Sequence, residues 1–557
     1  MPETIFIGVA WPYANGPIHQ GQFAGAYLPP DIFARYHRTR GNDVLMVSGS
    51  DTHGTPITVR AEREGRSPED VVAEFHQSFL YTWERMGITF DLFTTTATEN
   101  HSRVSQNFFL RLMERGYIYE GMQDLPYCET DRRFLLDRYV EGTCPHCGFT
   151  QARGDQCDNC GRPLDPIELR EPRCKFCGNP PDIRTSKHMF LRLSAFQEPL
   201  RAWLDDGVKS GYWRKNVLNF SLGMLNEGLH DVAITRDIDW GVRVPIEGWE
   251  NKRIYVWFEA VIGYLSAAIE WAELQGSPDA WRNFWQNPAA KSYYFIGKDN
   301  IWFHTLHWPA YLMGHGDLNL PFDVPANQYV NLGGRKSSTS QNWAVWLPDY
   351  LTRYDPDPLR YYLSASMPET SDTDFTWAEF LRRNNDELVA TWGNLVNRVT
   401  TQLPRHFDGR VPEPVDLDER AERLIARCSE VIDEVGSNIA ACHFRAAISG
   451  AMGLAKEANR FLDETAPWKA IKEDRQSAAN SLYAALAVIA ALRTAFYPFL
   501  PHSSERLNGY LGETASVQEL GWRHVIPEPG RALPPAAPLF KKLDPSIVAE
   551  EEARLGT

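Results

Sequence analysis

The stretch Ile5-Phe-Ile-Gly-Val-Ala-Trp-Pro-Tyr-Ala-Asn-Gly-Pro-Ile-His-Gln-Gly-Gln22 decides how the rest of the chain is interpreted. The apolar run Ile5–Ala10 predicts a short buried strand, and Trp11–Gln22 is a turn that opens a helix. In many nucleotide-binding folds such a turn binds phosphate, because backbone N–H groups and the positive helix end face the anion. The turn has His19 and no Lys-Ser/Thr pair, which argues against a Walker-type loop and favours an adenylate site. Taken alone, His19–Gln22 is equally consistent with a tight turn.

Length and composition describe a large globular protein that is not built for a membrane. The chain has 557 residues, which predicts about three or four domains, and 43% of its residues are hydrophobic. The longest apolar run, Leu482–Leu492, is too short to span a bilayer and predicts a core helix. The start of the chain has no signal-peptide pattern, so we expect a cytoplasmic protein. The net charge of −15 argues against a surface that binds nucleic acid everywhere, so any nucleic-acid site needs specific residues.

The first and middle parts of the chain alternate strand and helix patterns, which favours a parallel sheet. Pro29 and Pro30 predict that a helix begun at Phe23 is kinked or split. Residues 118–185 are rich in Gly, Pro and Cys and are interpreted as loops of an insertion folded around metal. The predicted elements are the strands Ile5–Ala10, Val44–Val47, Arg253–Val256 and Tyr293–Ile296, and the helices Asp31–Arg40, Pro68–Met86, His101–Arg115 and Trp257–Leu274.

From about Ala378 the pattern is almost wholly helical. The segments 379–404, 416–437, 443–462 and 476–499 have apolar residues at helical spacing and predict a bundle. Cys428 and Cys442 fall in this region and are expected to be core thiols. The tail from Pro527 is expected to drape over the surface or to be mobile.

Seven of the nine cysteines lie between Cys128 and Cys177. Two Cys-x-x-Cys pairs predict a closed structural zinc site, because each pair can occupy adjacent corners of a tetrahedron. A further pair and the sequence Cys128-Glu-Thr-Asp131 could form a second zinc site of three cysteines and one aspartate, or could be free thiols. The first set is Cys144, Cys147, Cys157 and Cys160, and the second is Cys128, Asp131, Cys174 and Cys177.

Three further motifs follow apolar runs. Asp51-Thr-His-Gly-Thr-Pro56 places a carboxylate past a strand end, where it could pair with a substrate ammonium or cap a helix. In Tyr293–His304, Lys298 could contact phosphates and Asp299 ribose hydroxyls, whereas a lone histidine there is more often part of a core. Gly333–Ser340 is a small-residue loop with two cations, suited to an oxyanion or simply solvated.

Taken together, the motifs resemble those of methionyl-tRNA synthetase, a class I aminoacyl-tRNA synthetase. The shared series is strand–His-x-Gly-x, Asp-x-His-Gly-Thr-Pro, a four-cysteine knuckle, Val-Trp-Phe-Glu-Ala, Phe-Ile-Gly-Lys-Asp, Lys-x-Ser-x-Ser and a helical bundle. His19–Gln22 stands at the HIGH signature of the family and Lys336–Ser340 at its KMSKS signature. The resemblance implies a split doubly wound α/β catalytic domain of Rossmann type with a zinc-knuckle insertion, followed by an α-helical anticodon-binding bundle.

The resemblance also implies an activity. The enzyme would use ATP, with Mg²⁺, to activate methionine to its adenylate by attack of the carboxylate on the α-phosphorus, and would then transfer it to tRNA(Met). Catalytic roles fall on His19, Gln22 and Lys336. ATP would be bound by His19, Gly21, Gln22, Lys298, Asp299, Arg335, Lys336, Ser338 and Thr339. Methionine would be bound by Ala10, Trp11, Tyr13, Asp51, Trp257, Val261, Tyr264, Ile301 and His304. In this pocket Asp51 would hold the α-ammonium.

Recognition of the tRNA anticodon would fall on Asn394, Arg398 and Trp468. Asn394 and Arg398 are four residues apart and so share one helix face, and an exposed indole offers a base a stacking platform. From the residues alone, Trp468 is more typical of a core position.

Two positions depart from the family pattern. Gln22 stands where the family usually has a second histidine, and the KMSKS segment has Ser337 and Thr339 in place of Met and a second Lys. We expect an active methionine–tRNA ligase with altered ATP-site residues. The alternatives are a catalytically weakened paralogue that binds tRNA or methionine, and another class I synthetase.

The expected domain organisation follows the same resemblance. The catalytic domain would comprise residues 1–117 and 234–324, split by the connective peptide 118–233 that carries the zinc knuckle. Residues 325–386 would hold the KMSKS loop and the stem-contact region, 387–530 the anticodon-binding helices, and 531–557 the tail. A monomer is expected, because no appended domain follows the bundle.

Overall fold

A computed structural model describes residues 2–157, 159–337 and 342–556. At its centre is a five-stranded sheet in which every strand is parallel to its neighbours. This geometry confirms the expected doubly wound fold: from Thr4–Val9 the chain adds strands on one side of the sheet and later returns to add strands on the other. In spatial order the strands are Ala326–Asn327, Lys291–Gly297, Thr4–Val9, Asp43–Ser50 and Leu92–Thr95. Ligands of such sheets bind at the carboxyl ends of the strands that flank this change of side.

Three of the four predicted strands belong to this sheet, whereas the fourth, predicted at Arg253–Val256, is a strand only over Arg253–Ile254 and lies outside the sheet. Arg253–Ile254 pairs antiparallel with Thr235–Arg236 in a separate two-stranded ribbon. The apolar residues that follow begin the buried helix Val256–Leu274. A short apolar run cannot distinguish a strand from the first turn of a buried helix, which explains the error.

The helices around the sheet match the predicted ones closely. Where a kink or split is predicted at Pro29 and Pro30, a π-helical turn, Phe23–Tyr27, runs directly into the helix, and both prolines lie in the first turn of that helix, so the hydrogen bonding changes without a break. There a missing N–H costs no hydrogen bond. Ser67 and Thr98 cap two other helices by accepting the N–H groups of Asp70 and His101. The helices are Leu28–Thr39, Thr55–Glu64, Pro68–Met86, Glu99–Glu114, Val256–Leu274 and Trp308–His315.

The insertion between the two halves of the sheet contains more strand than the sequence predicts. Ile118–Cys128 and Asp182–Leu191 form a long antiparallel pair, which contradicts the expectation of loops. Buried and exposed residues alternate along much of the first of these strands, the pattern of a sheet with one solvated face. A smaller sheet of Val140–Thr143, Ala152–Arg153 and Arg170–Cys174 holds the cysteine-rich region.

Past the parallel sheet, a small sheet of Val330–Leu332, Arg335–Lys336 and Thr373–Phe375 leads to the predicted helical region. The helix Arg475–Phe496 is long and apolar enough to cross a membrane, but 89% of its most apolar window is buried inside the protein, as a core helix should be. Cys428 and Cys442 are buried, as predicted. The helices include Trp377–Arg382, Asn394–Thr400, Gln402–His406, Glu419–Ala440, Phe444–Thr465, Arg475–Phe496 and Pro501–Tyr510, with a π-helical segment at Arg383–Gly393.

The tail from Pro527 runs along the surface and is anchored at several points. The N–H of Val411 donates to the carbonyl of Arg531, and the side chain of Asn384 donates to the carbonyl of Lys541. Its last helix, Ile547–Glu552, buries Glu551 against Arg353. The tail therefore fits the predicted draped segment rather than the mobile one.

A buried ion pair joins two helices, because Asp31 lies on Leu28–Thr39 and Arg360 on Pro356–Ala365. Arg360 and Asp31 are fully buried and their side chains lie 2.7 Å apart. Arg360 also donates to the carbonyls of Met86, Pro498 and Phe499, so one side chain ties together residues from both parts of the chain.

Candidate active site

The signature turn after the first strand is organised by His19. Its Nδ1 accepts the N–H groups of Gly21 and Gln22 at 3.1 and 3.4 Å, and the Gln22 side-chain oxygen accepts the N–H of His19 at 3.1 Å. These reciprocal bonds form a capping box, an arrangement that favours Gln or Glu at the position of Gln22. Because Nδ1 is an acceptor, the neutral ring carries its proton on Nε2. Burial lowers the pKa of His19 to about 4, so the neutral form holds at pH 7.

Gln20, within the same turn, connects the two signature loops. Its side chain is buried, its oxygen accepts the N–H of Val345 at 2.9 Å, and its nitrogen donates to the Ser337 hydroxyl at 2.9 Å. A backbone bridge between His19 and Trp346 reinforces this contact. The sequence analysis missed Gln20, since nothing in a single polar residue signals a distant partner.

A cavity of about 340 Å³ opens at the carboxyl ends of the central strands. Most of the predicted substrate residues line it together. They are Ala10, Trp11, Tyr13, His19, Gly21, Gln22, Asp51, Trp257, Val261, Tyr264, Asp299, His304 and Lys336. Ile301 is buried but does not line this cavity, nor do Lys298 and Arg335, so three predicted residues fall outside its wall. Ser338 and Thr339 lie outside the described residues.

The apolar half of the cavity, formed around Trp11, Trp257, Tyr264 and His304, is tightly packed. Trp257 stacks on Phe303 with ring centroids 4.2 Å apart. The Trp11 ring lies in a slot between two glycines. A Cβ on Gly49 would come within 2.2 Å of that ring and a Cβ on Gly263 within 2.9 Å, so neither position has room for a side chain.

Hydrogen bonds fix the protonation of the polar groups in the apolar half. His304 Nδ1 lies 2.9 Å from the carbonyl of Asn300 and must donate to it. Burial lowers the pKa of His304 to about 4, so the ring is neutral and its Nε2 accepts the Tyr264 hydroxyl proton at 2.8 Å. The Tyr264 oxygen therefore keeps its lone pairs available.

Asp51 is the acidic group at this end of the cavity. It is 3% exposed, and the N–H of His53 donates to its side chain at 3.3 Å. Burial and the nearby Glu259 carboxylate raise the pKa of Asp51 well above its usual value, an effect that His53 opposes. A cationic group bound here would favour the ionised form.

The polar half of the cavity, formed around His19, Gln22, Asp299 and Lys336, has lysines near it from two different elements. The ammonium groups of Lys298 and Lys336 lie 4.1 and 4.6 Å from the same ring, that of Tyr329. Lys298 also pairs with Asp372 at 2.7 Å. Burial raises the pKa of Asp299, and the nearby Lys336 lowers it. This half can offer positive charge to an anion.

The insertion supplies part of the cavity wall, which the sequence analysis did not predict. Arg138, Gln156, Cys157 and Gly161 line the cavity. Gln156 donates to the carbonyl of Asp299 at 3.3 Å, so the cysteine-rich region is in direct contact with the polar half.

The two predicted cysteine sets each converge. Within each set the candidate ligand atoms of the four residues all lie within 4.8 Å of one another, and the members are Cys144, Cys147, Cys157 and Cys160, and Cys128, Asp131, Cys174 and Cys177. Four thiolates suit a tetrahedral zinc site, and three thiolates with one carboxylate are also zinc donors. A hydrogen bond from the Phe149 backbone N–H lowers the pKa of Cys147 to about 6, which favours the thiolate form.

In the helical region the three predicted anticodon residues lie on two neighbouring segments. The guanidinium of Arg398 lies 4.6 Å above the Trp468 ring and pairs with Asp463. Trp468 is half-buried rather than a core residue, and Asn394 lies one turn before Arg398 on its helix.

Comparison with known proteins gives the same assignment over the whole chain. Residues 5–400 match the family of class I tRNA synthetases (M), and residues 411–556 match the anticodon binding domain of methionyl tRNA ligase. The chain belongs to the methionyl-tRNA synthetase family. It is 58% identical to the methionine–tRNA ligase of Dehalococcoides mccartyi over all of both chains, and 51% identical to that of Thermomicrobium roseum over all of this chain and 99% of the relative.

A solved structure extends the comparison to three dimensions. The Mycobacterium tuberculosis methionyl-tRNA synthetase in complex with methionyl-adenylate superposes with a TM-score of 0.80 at 25% identity, covering 97% of this chain and 100% of that one. As a methionyl-tRNA synthetase, the chain has methionine–tRNA ligase activity, with ATP, methionine and tRNA(Met) as substrates, and the alternative of another class I synthetase is set aside.

Proposed function

We propose residue roles for this methionine–tRNA ligase that place the amino acid in the apolar half of the cavity and ATP in the polar half. The observation that carries the proposal is that a single cavity is lined by both His19, Asp299 and Lys336 and by Asp51, Tyr264 and His304. The methionine carboxylate attacks the α-phosphorus in line, the bond to pyrophosphate breaks, and methionyl-adenylate remains. Such catalysis depends on positioning and on stabilising charge on phosphate oxygens.

Methionine recognition follows from the packing of the apolar half. Asp51 pairs with the α-ammonium, while Trp257, Tyr264 and His304 enclose the thioether, whose sulfur packs favourably at aromatic ring edges. Ala10, Trp11, Tyr13 and Val261 complete the wall. Ile301 is buried behind this wall and would support it without contacting methionine. Since one methyl group gives discrimination of only about 1–3 kcal/mol, homocysteine should enter and be activated as well.

ATP recognition uses donors of the polar half. The Nε2–H of neutral His19, the backbone at Gly21 and the Gln22 amide face the nucleotide, and Asp299 accepts ribose hydroxyls. Lys336 stabilises the departing pyrophosphate, with Lys298 and Arg335 nearby and Ser338 and Thr339 on the same loop. Mg²⁺ accompanies ATP as its phosphate counter-ion.

The two cysteine sets are proposed as zinc sites. Zinc in the first set would stabilise the segment that brings Gln156, Cys157 and Gly161 to the cavity wall, and zinc in the second would hold Cys128 and Cys174 together. Elemental analysis of the purified protein should give two zinc ions per chain. A single ion per chain would limit the proposal to the first set of four cysteines.

We propose that the helices from 387 to 530 read the anticodon through Asn394, Arg398 and Trp468, with 1–117 and 234–324 as the catalytic domain. Residues 118–233 are the connective peptide, 325–386 the KMSKS-loop region and 531–557 the tail. The contact of Arg398 with Trp468 supports a shared site, because an arginine beside an indole can pair with a base that stacks on the ring.

The protein is further proposed to be a cytoplasmic monomer. None of its nine cysteines forms a disulfide, which suits a reducing compartment. Elution at twice the chain mass at micromolar concentration would contradict the monomer.

Methionine-dependent exchange of labelled pyrophosphate into ATP tests the activity. Exchange with methionine and weak exchange with homocysteine are expected. No exchange above background from zinc-loaded protein that still binds methionine would contradict the roles proposed for the polar half of the cavity.

A further inference from the structure

Behind the apolar half of the cavity, three ionisable side chains form a buried chain. Glu259 is fully buried, with one oxygen accepting His53 Nδ1 at 2.7 Å and the other in a short hydrogen bond with His101 Nε2. The far nitrogen of His101 lies 2.9 Å from the Ser266 hydroxyl. Among the described residues that line the cavity none of the three appears, so they do not touch a substrate there.

Each end of this chain nevertheless contacts a residue of the cavity wall. The backbone N–H of His53 donates to the side chain of Asp51 at 3.3 Å, and the ring of His53 packs edge-on against Trp240. The ring of His101 lies 6.4 Å from that of Trp11. Glu259 is therefore fixed between the group proposed for the methionine ammonium and the tryptophan beside it.

The charges in this region compensate one another. Burial alone would raise the pKa of Glu259, but His53 and His101 lower it to about 2, so Glu259 is ionised. Burial would lower the pKa of His53, but the Glu259 carboxylate raises it above its usual value. The Glu259 carboxylate raises the pKa of Asp51 and the nearby His53 lowers it, so Asp51, His53 and Glu259 are electrostatically coupled as well as linked by hydrogen bonds.

We propose that Glu259 is a positioning residue for methionine: by binding the rings of His53 and His101, it holds the His53 backbone N–H on Asp51 and the His101 ring beside Trp11, so that Asp51 is aimed at the α-ammonium. The inference rests on the role of Asp51 proposed above. It extends that role, because the strength with which Asp51 binds the ammonium would depend on Glu259, a residue that does not contact the substrate.

Two substitutions at Glu259 separate charge from shape. Glu259→Gln keeps the shape and removes the charge, whereas Glu259→Asp keeps the charge and shortens the side chain by one methylene. If charge matters, Glu259→Gln should raise the methionine KM about tenfold, because a charge-assisted hydrogen bond is lost, and Glu259→Asp should raise it less. A larger effect of Glu259→Asp than of Glu259→Gln would mean that only packing matters and would overturn the proposal.

A ligand without the ammonium group makes the test specific. The desamino analogue of methionine is 4-(methylsulfanyl)butanoate. Its inhibition constant should change less than about twofold in Glu259→Gln. The kcat of pyrophosphate exchange and the ATP KM should also change little. Equal weakening of methionine and the analogue would contradict a role through Asp51.

Two controls keep the result interpretable. His37→Gln changes another buried histidine, which contacts Asn42 away from the cavity, and should leave the methionine KM unchanged. If Glu259→Gln does not fold, His53→Gln should give the same ratio of methionine to analogue binding. Asp51→Asn tests the underlying role: if it leaves that ratio unchanged, Asp51 does not bind the ammonium, and the proposed function fails at that residue independently of Glu259.

Discussion

The apolar and polar halves of the cavity differ in the kind of partner that their polar groups bind before a ligand enters. In the apolar half, the Tyr264 hydroxyl donates to His304, and His304 donates to a backbone carbonyl, so the protonation of both is settled before a ligand enters. In the polar half, Lys298 pairs with Asp372 and the Gln22 oxygen is used in a capping box. If a bound nucleotide recruits Lys298, which lies outside the cavity wall, that lysine must leave Asp372, whereas Tyr264 and His304 need no such change of partner.

This difference assigns the two halves separate tasks. Amino-acid discrimination depends on shape and on fixed donors and acceptors, which a rigid wall provides. Phosphate chemistry needs positive charge placed where negative charge develops in the transition state, which lysine side chains beside the cavity can supply. Substitutions in the apolar half should therefore change the methionine KM, and those in the polar half should change kcat.

Lys336→Ala should have the largest effect. Removing this cation should lower the kcat of pyrophosphate exchange about 100-fold or more, while the methionine KM changes less than about twofold. Arg335→Ala is the matched control, because Arg335 lies over Trp343 and does not line the cavity, and it should cost much less. A comparable rise in the methionine KM of Lys336→Ala would show that the halves are not independent.

Gly263→Ala should affect the apolar half selectively. The new Cβ would lie 2.9 Å from the Trp11 ring and must displace it. We expect the methionine KM to rise about tenfold with the ATP KM unchanged, which steady-state kinetics can check. Gly223→Ala is a control on another helix, where a Cβ meets no atom within 4 Å. If both variants behave alike, the slot around Trp11 does not matter.

Gln22→His should have a modest effect on the polar half. The substitution restores the usual family residue but removes the side-chain oxygen that caps His19, and losing such a cap costs about 1 kcal/mol, or about fivefold. We therefore expect exchange activity to fall about fivefold. Gln22→Glu keeps the cap but adds a negative charge near the phosphates, so the exchange activity of this variant should be lower still. An increase in Gln22→His would mean that a second imidazole outweighs the cap.

Changing the pH should have the smallest effect on either half. His19 and His304, one from each half, both have a pKa of about 4, so neither changes charge between pH 6 and 8. The methionine and ATP KM values should show no inflection from them. The contribution of these two histidines to the free energy of unfolding should be constant above about pH 6.5. It should fall as the pH drops towards 4, because the histidines take up protons in the unfolded chain before they do so in the folded protein. Urea titrations at pH 7.5 and 5 would measure this.

The sequence predicted the fold where local pattern and position agree. Pro68–Met86 is found with the predicted ends, because Ser67 caps it and Gly87 ends it in a left-handed conformation. The strand predicted at Arg253–Val256 exists only over Arg253–Ile254, because the apolar residues after it begin a buried helix, which an apolar run alone cannot reveal. The antiparallel pair Ile118–Cys128 and Asp182–Leu191 was missed because its partners are far apart in sequence.

The candidate site was predictable where residue type alone signals chemistry. Asp51, His19 and the two cysteine sets are such cases, and the geometry brings each to its expected neighbours. Gln20, Gln156 and Glu259 could not be predicted in the same way, because their roles depend on a partner in another part of the chain. The residues proposed for methionine binding were assigned from the family resemblance, because the separate motifs do not identify that substrate.

The buried pair of Asp31 and Arg360 has a consequence for how the enzyme engages its RNA. Arg360 binds Asp31 and also donates to the carbonyls of Pro498 and Phe499, and removing one partner of such a buried pair costs about 3–5 kcal/mol, so we expect these segments to stay together through a reaction cycle. The separation between Trp468 and the cavity is then a fixed length of the protein. A bound tRNA would have to adapt its own shape to that length, so its deformability would become part of how it is selected.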